Sequence, residues 1–233
     1  MNVTMTDIKK LREMTGAGLS DCKKALAESD DMDGAVAYLR KKGQAVAAKR
    51  SDREAAEGCV LVKVADGFGA IIALKCETDF VANNADFVAL TQQILDAAVA
   101  NKCKSLEEVN ALPMGDGTVA DAVTARSGIT GEKMELDGYS YIEGDNICTY
   151  NHMNRNGLCA MVAFSAPVEA EVGKNVAMQV ASAAPVAIDE TGVPQAVKDN
   201  EIAVAIDKTK AEQIQKAVEA ALKKAGINPA LVN

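Results

Sequence analysis

The side chains able to make bonds or hold metals are few and scattered. There are six cysteines (Cys22, Cys59, Cys76, Cys103, Cys148 and Cys159) and a single histidine, His152. No C-x-x-C pair occurs, so a Cys/His zinc site is not expected. The thiols read as reduced, small hydrophobes. A Cys–His nucleophilic pair would have to use His152, which sits in the turn-like run "YNHMNRNG" with no cysteine marked as its partner. No G-x-S-x-G, P-loop or G-x-G-x-x-G is present, and Gly67-Phe68-Gly69 lacks the third glycine. The chain reads as non-enzymatic, with no metal and no cofactor, and its function as recognition through surface residues.

The stretch "KCETDFVANN" (Lys75–Asn84) is where recognition residues gather. A strand-like run, Ala70–Leu74, ends there and a helical pattern begins soon after. Thr78 and Asp79 form a polar pair at this junction, and Asp79 is read as the helix cap that fixes the turn. Phe80 follows, one of four Phe in a chain without Trp. Two roles fit it: a staple onto the next helix, or an exposed, preordered anchor that loses little entropy on binding.

The elements that must position these residues fall into two charge regimes. The chain has 233 residues and a formal charge of −8. Residues 1–50 carry ten Lys/Arg against seven Asp/Glu, a net of +3, which leaves −11 for the rest. An acidic body argues against direct nucleic-acid binding, which needs clustered Lys and Arg. "MNVTMTDIKK" has neither a basic n-region nor an apolar h-region, and no run reaches membrane-span length. The expectation is a cytoplasmic protein with no membrane partner.

Residues 1–50 predict three short helices. Ile8, Leu11 and Met14 line the first, after Thr4 or Thr6 as cap; "TGAG" (Thr15–Gly18) stops it. Leu19, Cys22 and Leu26 mark the second, and Val36, Leu39 and Val46 a third from about Asp33. This basic module reads as a docking unit with Arg12, Leu19 and Lys23 as contacts around the turn, Leu11 in the core and Arg12 facing solvent. Residues 51–57, "SDREAAE", read as a linker. Two apolar runs around "DGFG" then predict a hairpin, and Phe87–Ala98 a helix capped by Asn83 or Asn84. "SLEEVNAL" reads as a weak helix, followed by a Gly-rich stretch and the strand-like "KMELDGYSYIEGDNICTY". "NICTYNHMNRNGLCAMVAFSA" and "VGKNVAMQVASAA" then replay the strand–strand–helix order. Gly69–Leu74 can be laid on Gly157–Val162, which points to a duplicated unit. The second copy has "FSAPVEAE" where the first has "CETDFVAN", which favours function over folding for Asp79 and Phe80. A lysine-rich helix from about Asp207 to Ala225, with Gly226 as C-cap, carries the apolar stripe Ile214–Val218–Leu222. That stripe is expected to pack against a second copy or to fray.

"LREMTGAGLSDCKKAL" (Leu11–Leu26) and "KCETDFVANN", in that order and about 60 residues apart, together resemble the bacterial elongation factor Ts family, from about residue 5 to the end of the chain. The resemblance implies a guanine-nucleotide exchange factor that binds elongation factor Tu with GDP bound and in the nucleotide-free state. It implies an α+β fold: a helical module like a ubiquitin-associated domain (residues 1–50), the linker (51–57), and a core of two related antiparallel-sheet-plus-helix subdomains (58–145 and 146–233), the second carrying the long lysine-rich helix. It further implies that the helical module binds the GTPase's nucleotide domain. The resemblance also implies that the Asp-Phe pair, here Asp79 and Phe80, intrudes near the nucleotide and its magnesium, that Thr78 and Val81 are partner-binding beside it, and that His152 matches a contact of the second subdomain. Family members continue into a second helix of a hairpin and a final stretch, so the chain is expected to lack that C-terminal portion and the contacts made through it, homodimer contacts in some members included. The alternative is a non-exchanging adaptor that uses the helical module alone; such a protein has no need of the Thr-Asp-Phe element.

Overall fold

The computed structural model describes residues 3–228 and Ala230. Its first helix, α1 (Met5–Thr15), begins where Thr4 accepts the Asp7 N–H and the Asp7 carboxylate accepts the Thr4 N–H, a reciprocal cap for two otherwise orphaned donors. It ends at Gly16, whose φ of 70° suits a residue without a β-carbon. Helices α2 (Leu19–Ala27) and α3 (Met32–Lys49) complete the three-helix region around a small core of Ile8, Leu11, Ala17, Cys22, Ala25, Leu26 and Ala35. Met14 and Leu19, placed on apolar stripes by their spacing, are exposed instead. They are the last-turn and first residues of helices flanking Thr15–Gly18, beyond the reach of the packed faces.

Strands β1 (Glu57–Ala65) and β2 (Phe68–Cys76) pair antiparallel around Asp66-Gly67, both at positive φ (49° and 72°), the turn that matches strand twist. After a single short turn, α4 (Asp79–Ala82), comes α5 (Ala85–Ala100), capped by Asn84 through the N–H groups of Asp86 and Phe87. Alternate residues of β2 (Phe68, Ala70, Ile72, Leu74, Cys76) are buried with Phe87, Ile94 and Leu95 of α5, and this period-two against period-3.6 match builds the main core. Helix α6 (Leu106–Ala111) and a two-rung ladder of β3 (Pro113–Met114) with β4 (Gly117–Thr118) lead to α7 (Val119–Thr130). Strand β5 (Glu135–Glu143) then joins β2, giving the sheet order β1-β2-β5. Asp137 is an extra residue in that pairing, a bulge just before the end of β2 that carries the recognition stretch.

The predicted second strand–strand–helix follows as β6 (Ile147–Asn151), β7 (Cys159–Ala163) and α8 (Ala170–Ala183). It is joined to β1 by the Val60 N–H, which donates to the Asn156 carbonyl at 2.6 Å. The fold is α+β, with antiparallel sheets, N-terminal helices and a long C-terminal helix. All six cysteines are free, and burial pushes the Cys76 and Cys159 thiols up to about 11, which keeps them protonated and poor nucleophiles.

Three features differ from expectation. The Gly-rich stretch after α6 contains α7, whose apolar face Val119–Val123 continues as Ser127 and Gly128 rather than as a third aliphatic residue. The missing bulk hid the helix. Its signal was Thr118-x-x-Asp121, which forms a second reciprocal cap. Gly128 also matters for packing, because a β-carbon there would lie 2.5 Å from the Cα of Gly43 on α3; the two helices touch backbone to backbone. Secondly, the segment read as a linker is tied down. Ala55 is buried, Glu57 opens β1, and Arg50 and Arg53 bind Glu77.

The third difference lies beyond Ala183, where the chain divides into a second compact unit. Its helix α9 spans Gln195–Lys224, twelve residues earlier in onset than the sequence spacing indicated. Ile202, Val204 and Ile206 alternate like a strand, which masks the helical period, but Pro194 sets the start. The helix closes with the Ile227 N–H on the Leu222 carbonyl and the Gly226 N–H on Lys223, the bonds of a Schellman cap. Ile202, Val204, Ile206, Ile214 and Val218 are exposed along it.

Candidate partner-binding site

The recognition stretch starts where β2 stops at Cys76. Thr78 is extended (φ −126°) and its Oγ1 accepts the Val81 N–H, so Thr78 is the helix cap. Asp79, read as that cap from the sequence, is instead the first helical residue and is exposed. Ala82 is buried and Val81 packs against the main core, which pins one side of the single turn α4. Phe80 lies on the other side with 85% of its surface exposed. A ring that open staples nothing onto α5.

What sets the turn is a pair of glutamates that local sequence did not reveal. The Glu132 carboxylate accepts the N–H groups of Glu77 (3.1 Å) and Thr78 (3.2 Å) and the Thr78 hydroxyl (2.7 Å). In return the Glu77 carboxylate accepts the Lys133 N–H at 2.6 Å. Arg50 at the end of α3 reaches both Glu77 oxygens (2.8 and 2.9 Å), and Arg53 adds a third guanidinium contact at 3.2 Å. The Glu77 side chain is only 12% exposed, so these charge-assisted bonds are partly shielded from water. The Lys133 amide first, and then Arg50, hold its carboxyl below the usual range. A carboxyl lowered on folding adds stability in full above its unfolded value of about 4.3, and that stability is lost as pH falls through the lower folded value. Glu77→Gln should therefore melt below the parent chain at neutral pH, and the gap should close as the medium is acidified through that window. A pH series of thermal melts of both proteins measures it; a gap that is constant with pH would contradict the assignment.

Arg12, Leu19 and Lys23 are all exposed around the Thr15–Gly18 turn, with Leu19 at 46% and Met14 beside it at 54%. Leu11 is buried, as its place on the stripe requires. Arg126 on α7 lies between this turn and the recognition stretch. Its Nη2 binds Asp86 and Asn84, both at 3.2 Å, at the start of α5, and its Nη1 is 3.5 Å from where a β-carbon on Gly16 would be. The two segments thus share one half-buried cation as a neighbour. His152 belongs to a different element, the loop between β6 and β7, where it is exposed and its Nδ1 sits 3.0 Å from the Tyr150 hydroxyl. Met153 beside it holds φ 52° and is exposed, a strained conformation for a side chain of its size. Among the described residues, no group of three or more His, Cys, Asp or Glu is placed to hold a metal, and no helix is long and apolar enough to cross a membrane.

The chain is similar to proteins of one family. The family described as Elongation factor TS matches residues 77–232. A protein named Elongation factor Ts from Bacteroides fragilis is 71% identical over 234 residues, covering all of this chain and 71% of the relative. One of the same name from Bacteroides thetaiotaomicron is 68% identical over the same shares, and one from Porphyromonas gingivalis 53% identical over 89% of this chain and 76% of its own.

Proposed function

The chain belongs to the elongation factor Ts family of translation factors, and from that premise we infer that it binds elongation factor Tu–GDP and promotes release of GDP without making or breaking covalent bonds. The observation that carries this reading is Phe80: a large apolar ring, 85% exposed on a turn held by two carboxylates. Leaving such a ring in water is unfavourable unless a partner's pocket receives it. Residues 1–50 act as the docking module, residues 58–145 present the wedge of Thr78, Asp79, Phe80 and Val81, and residues 146–233 make a second contact through His152. Arg12, Leu19 and Lys23 supply the module's contacts. Elongation factor Tu preloaded with fluorescent GDP tests this directly: added chain should accelerate loss of the signal in the presence of excess unlabelled GDP. A release rate that stays at its spontaneous value, with binding intact, is the adaptor's signature and removes the exchange reading.

The same reading has the protein act in the cytoplasm, free of direct contact with nucleic acid or membrane. The exposed α9 residues offer a surface for homodimer formation, because each buried Val, Leu or Ile contributes roughly 1.5–3 kcal/mol. Sedimentation equilibrium across a concentration series should show self-association that Ile214→Glu together with Val218→Glu abolishes. A monomer at every concentration would refute it.

A further inference from the structure

We propose that Glu77 is a positioning residue for nucleotide release, tying the end of the docking module to the turn that carries Phe80. The proposal rests on the exchange reading above and names what makes the wedge rigid. Phe80 itself touches little, since its ring is exposed, so its aim is set by backbone alone. That backbone has one anchored side, where Ala82 is buried. The other side is a two-way exchange of carboxylates, with Glu132 holding the amides of residues 77 and 78 and Glu77 holding the amide of Lys133.

Glu77 differs from Glu132 in having a second set of partners. Arg50 is the C-cap residue of α3, the helix that ends the docking module, and it grips both Glu77 oxygens; Arg53 follows in the connecting segment. One carboxylate therefore bonds the end of the module, the strand end that leads to Phe80, and the connection into β5. With α3 also seated on α7 at Gly43 and Gly128, the module is presented at a fixed angle to the wedge. A ligand that docks on the module finds Phe80 already aimed. Preset geometry removes an ordering cost that would otherwise fall at the moment of opening the partner's pocket.

The prediction concerns the maximal rate more than affinity. Glu77→Gln keeps the shape and one acceptor oxygen but places an N–H₂ against the guanidinium groups. At saturating chain it should slow GDP release about tenfold, as expected for restoring freedom to about one backbone residue, and should change the half-saturating concentration by only about twofold. Arg50→Gln, approached from the other side of the bond, should reproduce that split. In a Phe80→Ala background, Glu77→Gln should cost nothing further, because its effect passes through the ring. Amide hydrogen exchange in the unbound chain should quicken over residues 78–82 in Glu77→Gln. An equal loss in the Phe80→Ala background, or unchanged exchange over 78–82, overturns the positioning role and leaves a purely structural one. Failure of the exchange reading is told apart: Phe80→Ala alone would then release GDP at the parent rate, while residues 78–82 would still loosen in Glu77→Gln.

Discussion

Phe80→Ala is expected to slow GDP release from elongation factor Tu by about ten- to hundredfold while leaving the chain's own melting temperature nearly unchanged. The two halves of that statement have one cause. Truncating a buried Phe costs about 3–5 kcal/mol of stability because packed contacts are lost and a cavity remains. At 85% exposure Phe80 has few such contacts to lose. On the exchange reading its energy is realised on the partner, where trimming a central aromatic anchor commonly costs ~2 kcal/mol or more, or about 30-fold in a rate constant. By linkage, whatever factor the exchange protein takes off GDP affinity is also taken off its own affinity for the loaded GTPase. A ring whose burial requires an opened pocket supplies that opposition, since its stabilisation is available only to the open state. Stopped-flow release of labelled GDP beside a thermal melt of the same variant measures both halves. A lowered melting temperature with exchange intact per folded molecule would mean that the ring is part of the fold after all.

The parts of this site that were legible in the sequence are those set by neighbours along the chain. The Asp66-Gly67 hairpin, the Asn84 cap and the reversal at Gly16 each follow from a residue type within a few positions of its effect. The place of the cap, Thr78 rather than the Asp79 that the sequence suggests, did not follow. It is decided by where β2 stops and by which residue Glu132 can hold, and that contact spans 54 positions. Arg50 and Glu77, 27 positions apart, are equally silent in a local pattern. Helix α7 is hidden in the sequence for a related reason. Its Ser127 and Gly128 look like loop residues until α3 is seen lying against them. The long-range contacts that conceal these residues are the ones that orient Phe80. Removal of residues 1–50 would therefore delete more than the proposed docking surface, because Arg50 leaves with it and the α7 face at Gly128 is uncovered.

Gly128→Ala tests that arrangement from the side of the fold. Two effects of opposite sign compete at this position. Replacing a mid-helix glycine by alanine favours the helix by about 0.8–1.0 kcal/mol. Against it, the new β-carbon would stand 2.5 Å from the Gly43 Cα and 3.0 Å from the Gly43 N. Those atoms belong to the α3 backbone, which cannot swing aside as a flexible side chain would. Overfilling a tight contact costs typically about 1–3 kcal/mol, and a clash between two backbones lies toward the upper end, so destabilisation should win. A net loss of about 1–2 kcal/mol corresponds to roughly 2–8 °C in melting temperature for a chain of this size. Gly157→Ala is the control: nothing lies within 4 Å of its β-carbon position, so it should be neutral or slightly stabilising. The damage should also have a place. Hydrogen exchange should rise along α3 and at the Arg50–Glu77 contact before it rises in β2, because α3 is the element pushed away. A Gly128→Ala protein melting at or above the parent temperature would show that the two helices have slack between them, and the fixed angle between docking module and Phe80 would lose its footing.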